Sequence, residues 1–184
     1  MKHSSIHTPM AWAAALAVMA AGAQAHVTLE QPRAEAGSAY KAVLRVGHGC
    51  DGSPTRALSV RLPAGFRGAK PMPKPGWTVT IRREALAEPY DSHGQKVSDD
   101  VAEITWQADA GAPGLPDAFY DEFVLRGQAP QAVGPAWFRV RQVCEKGSID
   151  WAELPPADGA ARELKAPAAR LDLTAPDPHA GHAH

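Results

Sequence analysis

The residue with the most chemistry to offer is His26, provided that processing makes it the first residue of the mature chain. A histidine in first position carries two nitrogen donors, its α-amine and its imidazole, which together chelate one metal ion. Nitrogen donors combined with a carboxylate suit Cu(II), which stands at the top of the affinity order of the divalent first-row metals. His26 is therefore the primary candidate for a copper ligand.

The segment before His26 has the composition of an export signal. Lys2 gives a positive start, residues 11–22 form an apolar run, and small residues follow up to Ala25. The run is shorter than the roughly 20 apolar residues that cross a bilayer. We therefore predict a signal peptide at 1–25, a periplasmic or otherwise exported protein, and no membrane span in the mature chain. Cleavage after Ala23 is a second acceptable site; it places histidine third, an arrangement that also binds Cu(II).

The chain contains two cysteines, Cys50 and Cys144. An even number in an oxidising compartment is most simply one disulfide. Thiolates also bind Cu(I), so a soft metal site is the alternative. Because neither cysteine belongs to a Cys-x-x-Cys pair, the disulfide is favoured.

The remaining histidines carry less information. The chain ends with His179, His182 and His184, a composition typical of loose metal capture by a flexible segment, and we predict a weak secondary site there. His48 and His93 lie in predicted loops, where ordinary surface histidines are the simpler interpretation and a second metal site the alternative.

The candidate histidines and cysteines lie among short runs rich in β-branched and aromatic residues, which we interpret as the strands that position them. Turn signals separate eight such runs, and in residues 77–81 the apolar side chains alternate with threonines, as in a half-buried strand. The pattern predicts an all-β sandwich or barrel with strands at 27–30, 40–46, 57–62, 77–83, 101–107, 120–126, 136–143 and 149–153.

Glycine and proline interrupt the pattern at 47–54 and 70–76, which we interpret as loops. The polar stretch 89–100 is long enough for a surface insertion rather than a tight hairpin. From Pro155 onward only three leucines are large and apolar, so we predict a domain at 26–155 and a flexible tail at 156–184 that can be deleted without unfolding it.

Composition excludes several classes of function. With 19 basic and 20 acidic residues the formal net charge is −1, which gives no basic surface for nucleic acid. The 16 glycines and 17 prolines leave little room for long helices. No serine-hydrolase, zinc-protease or phosphate-loop motif is present, and we predict that the protein is not an enzyme.

Five ordered blocks resemble the bacterial YcnI-like copper-binding domain family: HVTLEQP at 26–32, CDGSPT at 50–55, PMPKPGW at 71–77, YDEF at 120–123 and QVCEKG at 142–147. The resemblance implies an exported β-sandwich of immunoglobulin or cupredoxin type. It also implies a single-histidine brace, in which the amino-terminal histidine, a glutamate and a nearby tryptophan hold Cu(II).

Carried over to this sequence, the resemblance assigns the histidine to His26 by position. The tryptophan corresponds best to Trp151, with Trp77 and Trp137 as rivals whose ordinary role is core packing. The glutamate corresponds to Glu84, which follows the Pro-Gly-Trp strand, with Glu122 as the alternative.

The leading hypothesis is a copper chaperone or reservoir that exchanges its ion with other periplasmic copper-trafficking proteins. The alternative is a copper-dependent oxidative enzyme of the polysaccharide monooxygenase type, which needs a second imidazole and an aromatic substrate face. Since His48 and His93 are expected in loops, no strand histidine meets that need. A metal-free adhesion sandwich would leave His26 and the histidine tail unexplained.

Overall fold

The computed structural model describes residues 26–157 and 162–176, which contain eleven strands. In chain order they are β1 (Thr28–Leu29), β2 (Arg33–Glu35), β3 (Ala39–Val46), β4 (Thr55–Arg61), β5 (Arg67–Pro71), β6 (Trp77–Ser92), β7 (Gln95–Ala108), β8 (Asp121–Gln128), β9 (Gly134–Cys144), β10 (Ser148–Trp151) and β11 (Ala169–Thr174). The signal peptide and the three terminal histidines predicted above lie outside these residues.

The strands form two sheets that pack face to face. The smaller sheet has the order β1-β3-β8-β5, and the larger has the order β2-β11-β9-β4-β7-β6, with β10 paired to β9. The predicted all-β sandwich is confirmed, and all eight predicted strands are present. Within the described residues, no helix is long and apolar enough to cross a membrane.

The core lies between the sheets and follows the two-residue period of the strands. In β9 every second residue points inward, so Ala136, Phe138, Val140 and Gln142 are buried while Arg139 and Arg141 are exposed. The facing sheet contributes Leu44, Phe123 and Leu125, each fully buried. Within β9, Gln142 is the exception to the apolar pattern of the inward-facing residues.

The polar stretch 89–100 is not a surface insertion, and that prediction was wrong. β6 and β7 continue through it as one long hairpin that closes at His93 and Gly94, with φ angles of 50° and 77°. Two adjacent residues with positive φ match the right-handed twist of a hairpin. Pro89 is tolerated because β6 is an edge strand and its pairing is interrupted between Ala85 and Tyr90.

Two short strands were not predicted, β2 and β5. β5 ends at Pro71, so the first two residues of the predicted loop 70–76 belong to a strand. β5 lies at the edge of the smaller sheet, where a terminal proline is tolerated because no neighbour needs its missing N–H.

The predicted tail contains a strand of the larger sheet, so the boundary at Pro155 was wrong. β11 lies between β2 and β9, and it buries Ala169, Leu171 and Leu173. Few apolar residues are enough to make this segment a core strand. Strand alternation turns both Leu171 and Leu173 inward, and β2 and β9 supply the backbone hydrogen-bond partners. We no longer expect the fold to survive deletion of everything after Pro155.

Shortening Leu171 to alanine should therefore destabilise the domain. Its side chain is fully buried, and a cavity of that size costs about 2–5 kcal/mol of unfolding free energy. The exposed Lys165→Ala serves as the control, with an expected change within about 0.5 kcal/mol. Urea unfolding of both variants measures the difference, and equal midpoints would show that β11 does not contribute to the core.

Candidate metal-binding site

Trp151 forms the floor of the candidate site. It ends β10, and only 4% of it is exposed. The imidazole of the half-buried His26 packs against the indole edge to face, with ring centroids 5.7 Å apart and planes at 70°. The structure thus brings together two of the residues that sequence analysis assigned to copper.

A buried amide holds the indole in place. Trp151 donates a hydrogen bond from Nε1 to Oε1 of Gln142 at 2.9 Å. The amide nitrogen of Gln142 donates to the backbone carbonyl of His48 and to Oγ1 of Thr55, both at 2.7 Å. Gln142 and Thr55 are fully buried, so these bonds replace contacts with water that neither side chain can make.

A covalent bond ties the loop after β3 to β9, the strand that also carries Gln142. Cys50 and Cys144 form a disulfide with Cα atoms 5.9 Å apart, which confirms the predicted pairing and removes the thiolate alternative. Beyond Cys50 the loop turns at Asp51 and Gly52, both with positive φ, and Cys50 and Ser53 exchange two backbone hydrogen bonds of 2.9 and 3.0 Å. This is the tight turn for which an Asp-Gly pair is suited.

His48 lies at the site, where sequence analysis expected an ordinary loop histidine. Its half-buried ring packs against Trp151 with centroids 6.1 Å apart and planes at 73°. The loop position was predicted correctly, but the interpretation of His48 as an ordinary surface histidine missed its contact with Trp151.

Glu84 is far from this site. The strand register forms one row across five neighbouring strands, through Trp151, Val140, Val60, Ile104 and Ile81. Four strand spacings of about 4.8 Å separate β10 from β6 by roughly 19 Å, and Glu84 lies farther along β6.

The carboxylate of Glu84 has its own partners. It forms an ion pair with Arg61 at 3.2 Å and another with Arg82. The hydrogen bond from Arg82, with the charge of Arg61, holds the pKa of Glu84 below its ordinary value. The structure therefore does not bring Glu84 to His26, and its partners give the carboxylate a role on the sheet surface.

Glu122 lies in the same sheet as β1 but also has a partner. In the strand register Glu122 lies opposite Arg45 of β3, and Arg45 lies opposite Thr28 of β1 on its other side. Its carboxylate accepts a hydrogen bond from the hydroxyl of Tyr120. Desolvation and then this bond raise the pKa of Tyr120 to about 12. Glu122 is the nearer of the two glutamates along the strands, yet its contact is with Tyr120.

The rival residues lie elsewhere. Trp77 packs edge to face on Phe123 at 5.2 Å in the core, and Trp137 lies under the guanidinium of Arg170 at 5.6 Å. His93 is at the tip of the β6–β7 hairpin. In residues 26–157 and 162–176, no three histidine, cysteine, aspartate or glutamate side chains form a ready cluster for a metal ion.

Gln142 was not among the predicted site residues, although the chain carries a signal for it. Gln142 continues the inward-facing series of β9, in which apolar side chains are expected. A polar side chain on the buried face of a strand needs a hydrogen-bond partner, and it marks a position where specific contacts are made.

Replacing Gln142 with leucine tests the buried network. The variant leaves Nε1 of Trp151 and the carbonyl of His48 without partners, and each loss costs about 1–3 kcal/mol. We expect a destabilisation of about 2–4 kcal/mol in urea unfolding, together with altered tryptophan emission. The exposed Gln107→Leu, which loses one surface bond to a backbone carbonyl, should change stability by about 0.5 kcal/mol or less. Equal stability of the two variants would contradict the network.

Comparisons with known proteins place the chain in a family. It is similar to an uncharacterised protein from Nocardia farcinica whose crystal structure reveals an immunoglobulin-like fold, with 27% identity, a TM-score of 0.64, and coverage of 80% of this chain and 97% of that one. The predicted immunoglobulin-like sandwich is thereby confirmed. A type I cohesin from Pseudobacteroides cellulosolvens matches at 12% identity and a TM-score of 0.39, over 86% of this chain and 97% of the cohesin.

A search of curated proteins finds no match. A family model described as a domain of unknown function, DUF1775, matches residues 26–173, which is consistent with the YcnI-like resemblance and includes most of β11. The chain therefore belongs to the DUF1775 family.

Proposed function

We propose that this protein is an exported copper-binding protein, a Cu(II) chaperone or reservoir, whose ion binds at the processed amino terminus. The observation that carries the proposal is the packing of the His26 imidazole on the buried indole of Trp151. A signal peptidase that cuts after Ala25 would turn the backbone nitrogen of His26 into a free amine at this position. Amine and imidazole then form a chelate on one residue.

The donor set fits copper. At this end of the sandwich the nitrogen donors are those of His26 and the ring of His48, and nitrogen donors suit Cu(II). Both glutamates that the resemblance suggests have other contacts, since Glu84 is paired with arginines and Glu122 accepts a hydrogen bond from Tyr120. We therefore leave both glutamates out of the proposed site.

The surroundings favour storage and exchange of the ion. His26 and His48 are half-buried, so one side of the site faces solvent, where a partner protein can approach. The hydrogen bond from Trp151 to Gln142 holds the indole on which the His26 imidazole packs. Other periplasmic copper-trafficking proteins are the proposed partners, and the terminal histidines His179, His182 and His184 remain a predicted weak collector.

The oxidative alternative has one observation in its favour, since His48 supplies a second imidazole that contacts Trp151, the indole on which His26 packs. The copper-loaded protein, given reductant, peroxide and a polysaccharide, separates the two functions. The chaperone account predicts no oxidised sugar, whereas turnover would establish the enzyme.

The test of the copper site uses the processed protein and changes its amino terminus. His26→Ala should remove the tight Cu(II) site. One extra alanine before His26 should weaken it nearly as much, because the α-amine becomes an amide while every side chain is kept. The expected loss exceeds the roughly 10- to 100-fold that removal of an outer-shell partner costs.

His93→Ala is the matched control, because this histidine sits on the β6–β7 hairpin and should leave affinity unchanged. Affinity is measured by competition with a chelator, and the ligand set by paramagnetic resonance. Unchanged affinity and spectrum in the extended protein would show that the α-amine is not a ligand.

A further inference from the structure

We propose that the imidazole of His48 is a second side-chain ligand of the copper ion held by His26. The inference rests on the proposed function and replaces the glutamate oxygen of the resemblance with a nitrogen. Both histidine rings stand edge to face on the same indole, at 5.7 Å for His26 and 6.1 Å for His48. Trp151 thus lies in contact with two imidazoles from different parts of the chain.

Strand register brings the segments that carry these two histidines to the same end of the sandwich. β1 and β3 are antiparallel, with Thr28 opposite Arg45. Two residues before Thr28 is His26, and two residues after Arg45 is Gly47, so continuing the register puts His26 across from the neighbour of His48. Paired strands lie about 4.8 Å apart, so the two segments run side by side at this end of the sandwich.

The ring of His48 is oriented with one nitrogen available. Its Nδ1 contacts the backbone carbonyl of Gly49. A carbonyl oxygen only accepts, so Nδ1 is the donor, and an imidazole that carries its proton on Nδ1 has a lone pair on Nε2. Metal-binding histidines commonly donate their other ring N–H to such a carbonyl, which fixes the tautomer and the ring orientation.

The backbone around His48 is held from three sides. Gln142 donates to the carbonyl of His48, and Asp117 accepts from the N–H of Gly49 at 2.8 Å. Cys50 is bonded to Cys144 one position farther along. Gly49 allows this close packing, because a Cβ there would lie 1.9 Å from the carbonyl oxygen of Ser53. A ligand held this firmly keeps its position before the metal arrives.

Three carboxylates near this end of the sandwich have partners in the described residues. Asp117 accepts from Gly49, Glu122 from Tyr120, and Asp150 faces Arg141 at 3.7 Å. The side chains that contact Trp151 here are imidazoles, and a site of two imidazoles and one amine suits Cu(II).

The test counts imidazoles in the processed protein loaded with one equivalent of Cu(II). His179, His182 and His184 are first changed to alanine, so that terminal histidines do not contribute. Electron spin echo modulation should then show two copper-bound imidazoles in this parent. A count of one in the parent would overturn the proposal, and that measurement needs no change at position 48.

His48→Gln should reduce the count to one and weaken Cu(II) binding by about tenfold or more, about 1.4 kcal/mol. The control His93→Gln should keep both the count and the affinity. Unchanged spectrum and affinity in His48→Gln would overturn the role of His48. If His26→Ala abolishes tight binding while His48→Gln does not, only this inference fails; if His26→Ala binds like the parent, the proposed function fails as well.

Discussion

The buried carboxamide of Gln142 is the interaction on which the candidate site depends. Its side chain accepts a hydrogen bond from the indole of Trp151 and donates one to the backbone carbonyl of His48. One residue therefore positions both Trp151 and the loop that carries His48. The indole of Trp151 and the amide of Gln142 are buried, where water is no substitute partner, so the bond between them is costly to lose. Two residues farther along β9, the Cys144 disulfide fastens the same loop covalently.

The site also depends on the packing of the two sheets. His26 precedes β1 of the smaller sheet, whereas Trp151 ends β10 of the larger one. Their contact exists only when the sheets are packed, so copper binding at this place would favour the folded chain by mass action. β9 connects the parts, because it pairs with β4, β10 and β11 and carries both Gln142 and Cys144.

Much of the fold could be predicted from local patterns, and the site only in part. Alternation and turn residues located eight strands, and the two cysteines predicted their bond, because these signals are local or simple to count. The strand containing Leu171 was missed because its composition resembles a linker, and only pairing with β9 makes it a core strand. His48 was given too little weight for a similar reason: its neighbours in sequence indicate a loop, while its contact with Trp151 depends on long-range packing.

The central claim is that Cu(II) binds at the processed amino terminus. It is tested most directly by anomalous diffraction at the copper edge, from crystals of the processed protein grown with one equivalent of Cu(II). The account predicts a single strong peak within bonding distance of the α-amine and imidazole of His26, beside Trp151. A principal peak at the carboxylate of Glu84, at the terminal histidines, or anywhere else with no peak at His26 would contradict it.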